Sequence, residues 1–192
     1  MTYDNFTIKA QESILRAQQI AGELNQQSVD TAHIVAGLLE VDQEVPQFLF
    51  NKMGASLNEL QKAIRDDIRN FPKVEGTDKQ YLTNDANKVL SRAKKTMGLF
   101  SDEFISVEVI LLAIVQGSDK TAKLFKSLGV TEDLLIAAIK ELRKGKAIVD
   151  QNTDSQYNSL KKYTINLNER AESGKLDPII GRDEEIRRIL HI

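Results

Sequence analysis

Near the start of the chain, small and apolar residues fall at Ala10, Ile14, Ala17, Ala21 and Leu24, spaced by four and three. That spacing lines one face of an α-helix and leaves the other face polar. The pattern returns at Ala86, Leu90, Ala93, Met97 and Phe100, each 76 positions after its mate. Arg16 and Gly22 are displaced by the same 76 positions, to Arg92 and Gly98. Further on, Val29-Asp30-Thr31 precedes an apolar segment from Ile34 to Leu39, as Ile105-Ser106-Val107 precedes Ile110 to Val115. Asp30 and Ser106 are good N-cap residues, able to accept a bond from a free N–H of the first helical turn. Leu49 to Gly54 is then answered by Leu124 to Gly129 at a displacement of 75, so one residue is lost between the blocks. Each glycine stands where a helix should end, a position that favours a left-handed residue without a Cβ. Leu60, Ala63 and Ile64 match Leu135, Ala138 and Ile139 in the same way.

The self-alignment predicts four helices per copy, at roughly 5–24, 30–41, 46–53 and 56–70, then 83–100, 106–116, 119–128 and 131–144. Alternating strand patterns are missing. The period is too long for a thin solenoid repeat and indicates duplication of a small helical domain. The expected fold is all-α, with two four-helix units packed about a pseudo-twofold axis and a groove at their junction. The second and sixth helices are nearly continuous apolar runs and should form the buried centre of each unit. Phe71-Pro72 to Gly76 breaks the helix and separates the repeats, about 5–70 and 82–144. A polar cluster that includes Asp150 to Asp154 marks 145–159 as a flexible linker by composition. Residues 160–192 follow as a separate segment.

Composition narrows the function. Hydrophobic residues make up 41% of the 192 and charged residues 28%, enough for a packed core. Lys and Arg number 26 against 28 Asp and Glu, which argues against a dedicated nucleic-acid binder. The absence of cysteine removes disulfides, thiolate catalysis and sulfur metal sites together. The N-terminal residues have neither a basic start nor an apolar stretch, so no signal peptide is visible. No run approaches the ~20 apolar residues of a membrane span. The two histidines, His33 and His191, are far apart in sequence, and no clustered carboxylates have metal-ligand spacing. His33, near the start of the second helix, is expected to pack or cap rather than bind a metal. Asp66-Asp67 and Asp183-Glu184 are expected on solvated helix faces. A self-contained helical enzyme therefore has no catalytic constellation to rest on.

The repeat unit resembles the Clp N-terminal repeat found at the front of several ATP-driven unfoldases. The joint Phe71-Pro72-Lys73-Val74-Glu75-Gly76-Thr77 is similar to the inter-repeat segment of ClpB-type disaggregases. The tail resembles the start of their first ATPase module, through Leu160-Lys161-Lys162-Tyr163, Leu167 to Ala171, and Gly174 to Arg188. The likeness implies a module that engages misfolded or aggregated polypeptides and passes them to the ring of a longer protein. That longer protein would be an ATPase using ATP and Mg in a homo-hexameric ring, working with a DnaK-type chaperone system in the cytoplasm. Adaptor and substrate docking in a ClpC- or ClpA-type unfoldase is the alternative. The tail segment Ile179-Ile180-Gly181 would lie against the adenine of ATP. The chain has no G-x-x-x-x-G-K-[ST] loop to hold phosphates, so no enzyme activity, cofactor or metal is expected in this stretch.

Six residues stand out as candidates for substrate contact. Thr7 and its mate Thr83 are suited to cap the first helix of each unit. Glu108 falls in the first turn of the sixth helix, where negative charge is favourable, and Asp102 lies just ahead of that helix. Capping is one sufficient role for Thr7, Asp102 and Glu108. The resemblance implies another, since matching Thr, Asp and Glu positions in ClpB N-domains are implicated in engaging substrate. Glu103 stands where those relatives often carry Asn. Ile14, Leu90 and Val109 are candidates to line an apolar groove, although each also fits the helix-core pattern.

Overall fold

The computed structural model describes residues 3–74 and 79–153 and, beyond them, Gly174, Arg182, Glu184, Arg187 and Arg188. The chain divides into a unit of residues 1–157 and a second of 158–192. In the second, Glu184, Arg187 and Arg188 are helical. Ile179, Ile180 and Gly181, the expected adenine edge, lie outside the described residues.

Among its described residues, the first unit carries eight α-helices in the expected order: α1 (Ile8–Glu23), α2 (Thr31–Val41), α3 (Glu44–Met53), α4 (Leu57–Arg69), α5 (Asn84–Thr96), α6 (Val107–Val115), α7 (Lys120–Ser127) and α8 (Glu132–Arg143). A 3-10 turn, Met97–Phe100, continues α5. Thr7, Ser56, Thr83, Asp119 and Thr131 start their helices by accepting from the N–H three residues on, which satisfies one otherwise unpaired donor each. Gly54 and Gly129 take the left-handed conformation, φ 68° and 80°, at the ends of α3 and α7. All nine residues of α6 are buried, as are most of α2, so these helices form the centre of each half.

Reciprocal packing makes the two halves pseudo-twofold partners. Within each half the first helix lies on the second, α1 on α2 and α5 on α6; across the axis α3 meets α8 and α4 meets α7. Phe50 and its mate Phe125, both fully buried, meet edge to face with centroids 6.0 Å apart. The lock between halves is also reciprocal. Thr83 N–H donates to Val29 O at 3.0 Å, and its counterpart Thr7 N–H donates to Ile105 O at 3.0 Å. The first contact belongs to a parallel pair, β1 (Ser28–Val29) with β2 (Tyr81–Leu82), and the second flanks a parallel bridge between Phe6 and Ile105. Sequence patterning missed these because a two-residue strand has no alternation to read. The bridge at Phe6 also explains why α1 begins at Ile8 rather than at the expected residue 5.

The segment after α8 also departs from the expected arrangement. Residues 145–151 read as linker by composition, yet they return to the first unit. Ile148 is fully buried, Glu103 N–H donates to Ile148 O at 2.8 Å, and Ile8 N–H donates to Gln151 O at 3.0 Å. Polar composition hid a single buried isoleucine and main-chain bonds that no side chain reports.

Candidate functional site

Three charged side chains meet where α8 ends against the start of α6. Arg143 Nη1 donates to both oxygens of Asp102, at 2.7 and 2.9 Å, and Nε donates to Glu108 Oε1 at 3.0 Å. Its Nη2 donates to Ser106 Oγ at 3.1 Å, and the guanidinium stands 4.6 Å from the Phe100 ring centroid. All three charged side chains are at most 2% exposed. Burying charges this far is costly unless they are paired and hydrogen-bonded, and two carboxylates share one guanidinium. Among the described residues, Glu108 Oε2 has no hydrogen-bond partner.

The structure brings Asp102 and Glu108 together, but inside the domain. Both pair with Arg143, so neither side chain is presented to solvent for substrate. Thr7 is fully buried as well, accepting from Ala10 N–H at 3.3 Å at the head of α1. Ile14, Leu90 and Val109 are no more than 1% exposed and belong to the core, which corrects their placement on a groove wall. Periodicity could not separate the two, because a groove wall and a core face share one spacing. Asp67, expected on a solvated face, pairs with Lys120 and its side chain is only 10% exposed.

Asp102 has a further role. Its Oδ1 accepts from Ile148 N–H at 2.9 Å, which ties the segment after α8 to the buried cluster. The first half has a neutral counterpart built on Gln26, which lies 76 positions before Asp102. Gln26 Nε2 donates to Ile68 O at 2.7 Å, near the end of α4, and its Oε1 lies 2.7 Å from His33 Nε2. His33 Nδ1 accepts from Asp30 N–H at 3.1 Å, which leaves the ring proton on Nε2 to be donated to Gln26. Burial pushes the His33 pKa down, against the opposing charges of Asp30 and Asp67. Asp30 stands at the N-cap of α2, and its carboxylate accepts from the Thr83 hydroxyl at 2.9 Å in the other half. Ser106, at the equivalent cap, makes no cap bond with its side chain and serves Arg143 instead.

Among the described residues, no group of three His, Asp or Glu could hold a metal ion, and no helix is long and apolar enough to cross a membrane.

The sequence model of the Clp repeat (R) N-terminal domain family matches residues 5–128, which carry α1 to α7. The chain belongs to that family. Over all 192 residues it is 43% identical to the chaperone protein ClpB of Bacteroides thetaiotaomicron and 39% identical to that of Porphyromonas gingivalis, and it spans 22% of the length of each. The crystal structure of the Hsp104 N-terminal domain from Candida albicans has a TM-score of 0.69 with it at 20% identity, covering 79% of this chain and 99% of that one. The N-terminal domain of the chaperone ClpD from Arabidopsis thaliana gives 0.55 at 24% identity, covering 74% and 97%. Both share the Clp repeat fold.

Within this Clp repeat domain, Arg143 and Ile148 are the members of the cluster that sequence reasoning did not single out, and Ser106 was read only as an N-cap. A signal for Arg143 was present. It lies on the stripe of α8 that also carries Leu135 and Ile139, and 75 positions after the apolar Ile68. A charge at a core position needs a buried partner. Asp102 and Glu108 were the candidates. Ile148 carried no such signal.

Proposed function

We propose that this Clp repeat domain binds unfolded or aggregated polypeptide and hands it to an ATP-driven disaggregase ring. The observation that carries the reading is 43% identity, along the whole of this chain, with a protein named as the chaperone ClpB. The extent of that match favours ClpB-type work over adaptor docking in a protease-coupled unfoldase. The rest of the assignment follows the same likeness: ATP and Mg in the longer protein, a six-membered ring, cooperation with a DnaK-type chaperone, and a cytoplasmic setting. The domain would supply capture and proximity, and a weak site suffices when a tether keeps the captured chain near the ring.

Titration of the isotopically labelled chain with reduced, carboxymethylated lactalbumin, a permanently unfolded polypeptide, tests the reading. Amide shifts should move in a confined patch of residues 1–153, and the native folded lactalbumin should move none. An absence of shifts at millimolar polypeptide would overturn it.

A further inference from the structure

The segment 146–151 is held to the domain almost wholly through its main chain. Ile148 N–H donates to Asp102 Oδ1 at 2.9 Å, Ile148 O accepts from Glu103 N–H at 2.8 Å, and Gln151 O accepts from Ile8 N–H at 3.0 Å. One side chain, Ile148, is fully buried, whereas its neighbour Val149 is 60% exposed. Among the described residues, the one side-chain bond from the segment to the rest of the domain is Gln151 Nε2 to Asp4 O, at 2.8 Å and exposed. Contacts of this kind read main-chain groups and one aliphatic side chain, and little else of the sequence.

The groups that receive the segment are fixed independently of it. Ile8 N–H belongs to the first turn of α1 and lacks an intrahelical acceptor, so it needs one from outside the helix. Asp102 is oriented by Arg143, which Glu108 and Ser106 hold in turn. The buried ion cluster thus forms the rigid back of a small receptor whose front is three main-chain-directed bonds and the buried place of the Ile148 side chain. Glu103 contributes through its N–H, so the identity of its side chain does not enter.

We propose that residues 146–151 are a displaceable strap, and that the place they occupy is a binding site for a polypeptide segment bearing an aliphatic residue. The inference rests on the polypeptide-binding function above and names where that binding occurs. The strap is thinly attached: a single buried side chain anchors it, and it leaves α8 through Lys144 and Gly145, both left-handed at φ 49° and 79°. Segments with so little buried surface open well below the free energy of global unfolding. The comparable segment of the first half is different. It also docks by main chain, Val74 N–H to Asn25 O at 2.8 Å, but it runs on into β2 and α5 and is pinned at both ends. Opening the strap leaves Ile8 N–H and Glu103 N–H without acceptors and takes one of its two donors from Asp102 Oδ1, which keeps Arg143, and an incoming chain replaces all three bonds.

The test uses the full chain. In the unaltered protein, the Glu103 and Ile8 amides should exchange with deuterium at least about tenfold faster than the Leu112 amide in the centre of α6. Exchange of Glu103 only through global unfolding would overturn the strap. Ile148→Asp should release it, so a synthetic peptide of residues 144–153 should bind this variant about tenfold or more tighter than the unaltered chain, because the resident competitor is gone. The peptide should shift the Ile8 and Glu103 amides, and carboxymethylated lactalbumin should displace it. Ile148→Ala, which keeps an apolar side chain, provides a milder release if the aspartate variant unfolds, with a smaller gain expected. Equal peptide affinity for variant and parent would overturn the proposal. So would unfolded polypeptide that binds both proteins equally without displacing the peptide, although the proposed function would then survive. Failure of the unfolded polypeptide to bind either protein, with peptide binding intact, would instead sink the proposed function.

Discussion

Arg143 occupies in the second half the position that Ile68 occupies in the first: each lies in the last turn of its helix, 75 positions apart, and each is 3% exposed. One duplicated position therefore buries an aliphatic side chain in one copy and a guanidinium in the other. The surroundings differ to match. Gln26, a neutral amide, faces the end of α4, while Asp102 and Glu108 face the end of α8. Reverting one partner alone should not restore the apolar solution.

Arg143→Met leaves two buried carboxylates without their counter-charge and should cost roughly 3–5 kcal/mol, the range for breaking a buried ion pair. Adding Glu108→Leu removes one of those charges and should recover part of the loss. Urea unfolding of the parent, the single variant and the double variant measures both steps. Losses that simply add would show that the pair is not coupled.

His33 makes stability depend on pH in a defined direction. Burial lowers its folded pKa, so the unfolded chain takes up a proton near its ordinary value of 6.5 before the folded chain does. The contribution is fully present above that pH and is lost as pH falls through the lower folded value. His33→Gln can still reach back to the Asp30 N–H as a capping-box residue, but it does not titrate. The difference in unfolding free energy between parent and variant should stay constant above about pH 7 and shrink or reverse towards pH 5. A difference that is flat across this range would mean that folding leaves the His33 pKa unshifted.

At Gly37, α1 and α2 approach too closely for any side chain. A Cβ there would stand 2.2 Å from Ser13 O and 2.9 Å from Ala17 N, both backbone atoms of α1. Gly37→Ala should therefore destabilise by about 1–3 kcal/mol despite the better helix propensity of alanine. The mate position, 76 residues on, is Ala113, so the second half tolerates the methyl group that the first does not. Thermal unfolding of Gly37→Ala decides the matter. An unchanged or raised midpoint would show that the two helices can separate without cost.

Much of the architecture was legible because helices announce themselves through local spacing. The alignment of Ala10, Ile14 and Ala17 with Ala86, Leu90 and Ala93 identified the duplicated unit. Thr7, Thr83, Gly54 and Gly129 marked helix ends through the chemistry of unpaired N–H groups and left-handed turns. The candidate site was half legible. Asp102 and Glu108 were recognised, but their partner Arg143 lies 41 and 35 residues away in sequence, and no short-range pattern connects them.

The sequence by itself determined eight helices, their caps, the duplication and the family resemblance, because each is encoded within a few turns of chain or in a repeat of it. Tertiary structure alone decided which apolar positions are core, which polar ones are buried, and that the chain after α8 folds back through Ile148. Those outcomes depend on what a side chain or an N–H meets across the pseudo-twofold axis or at the far end of a loop. Burial and main-chain pairing are properties of such meetings. Residue spacing records only which face a side chain is on, not what covers it.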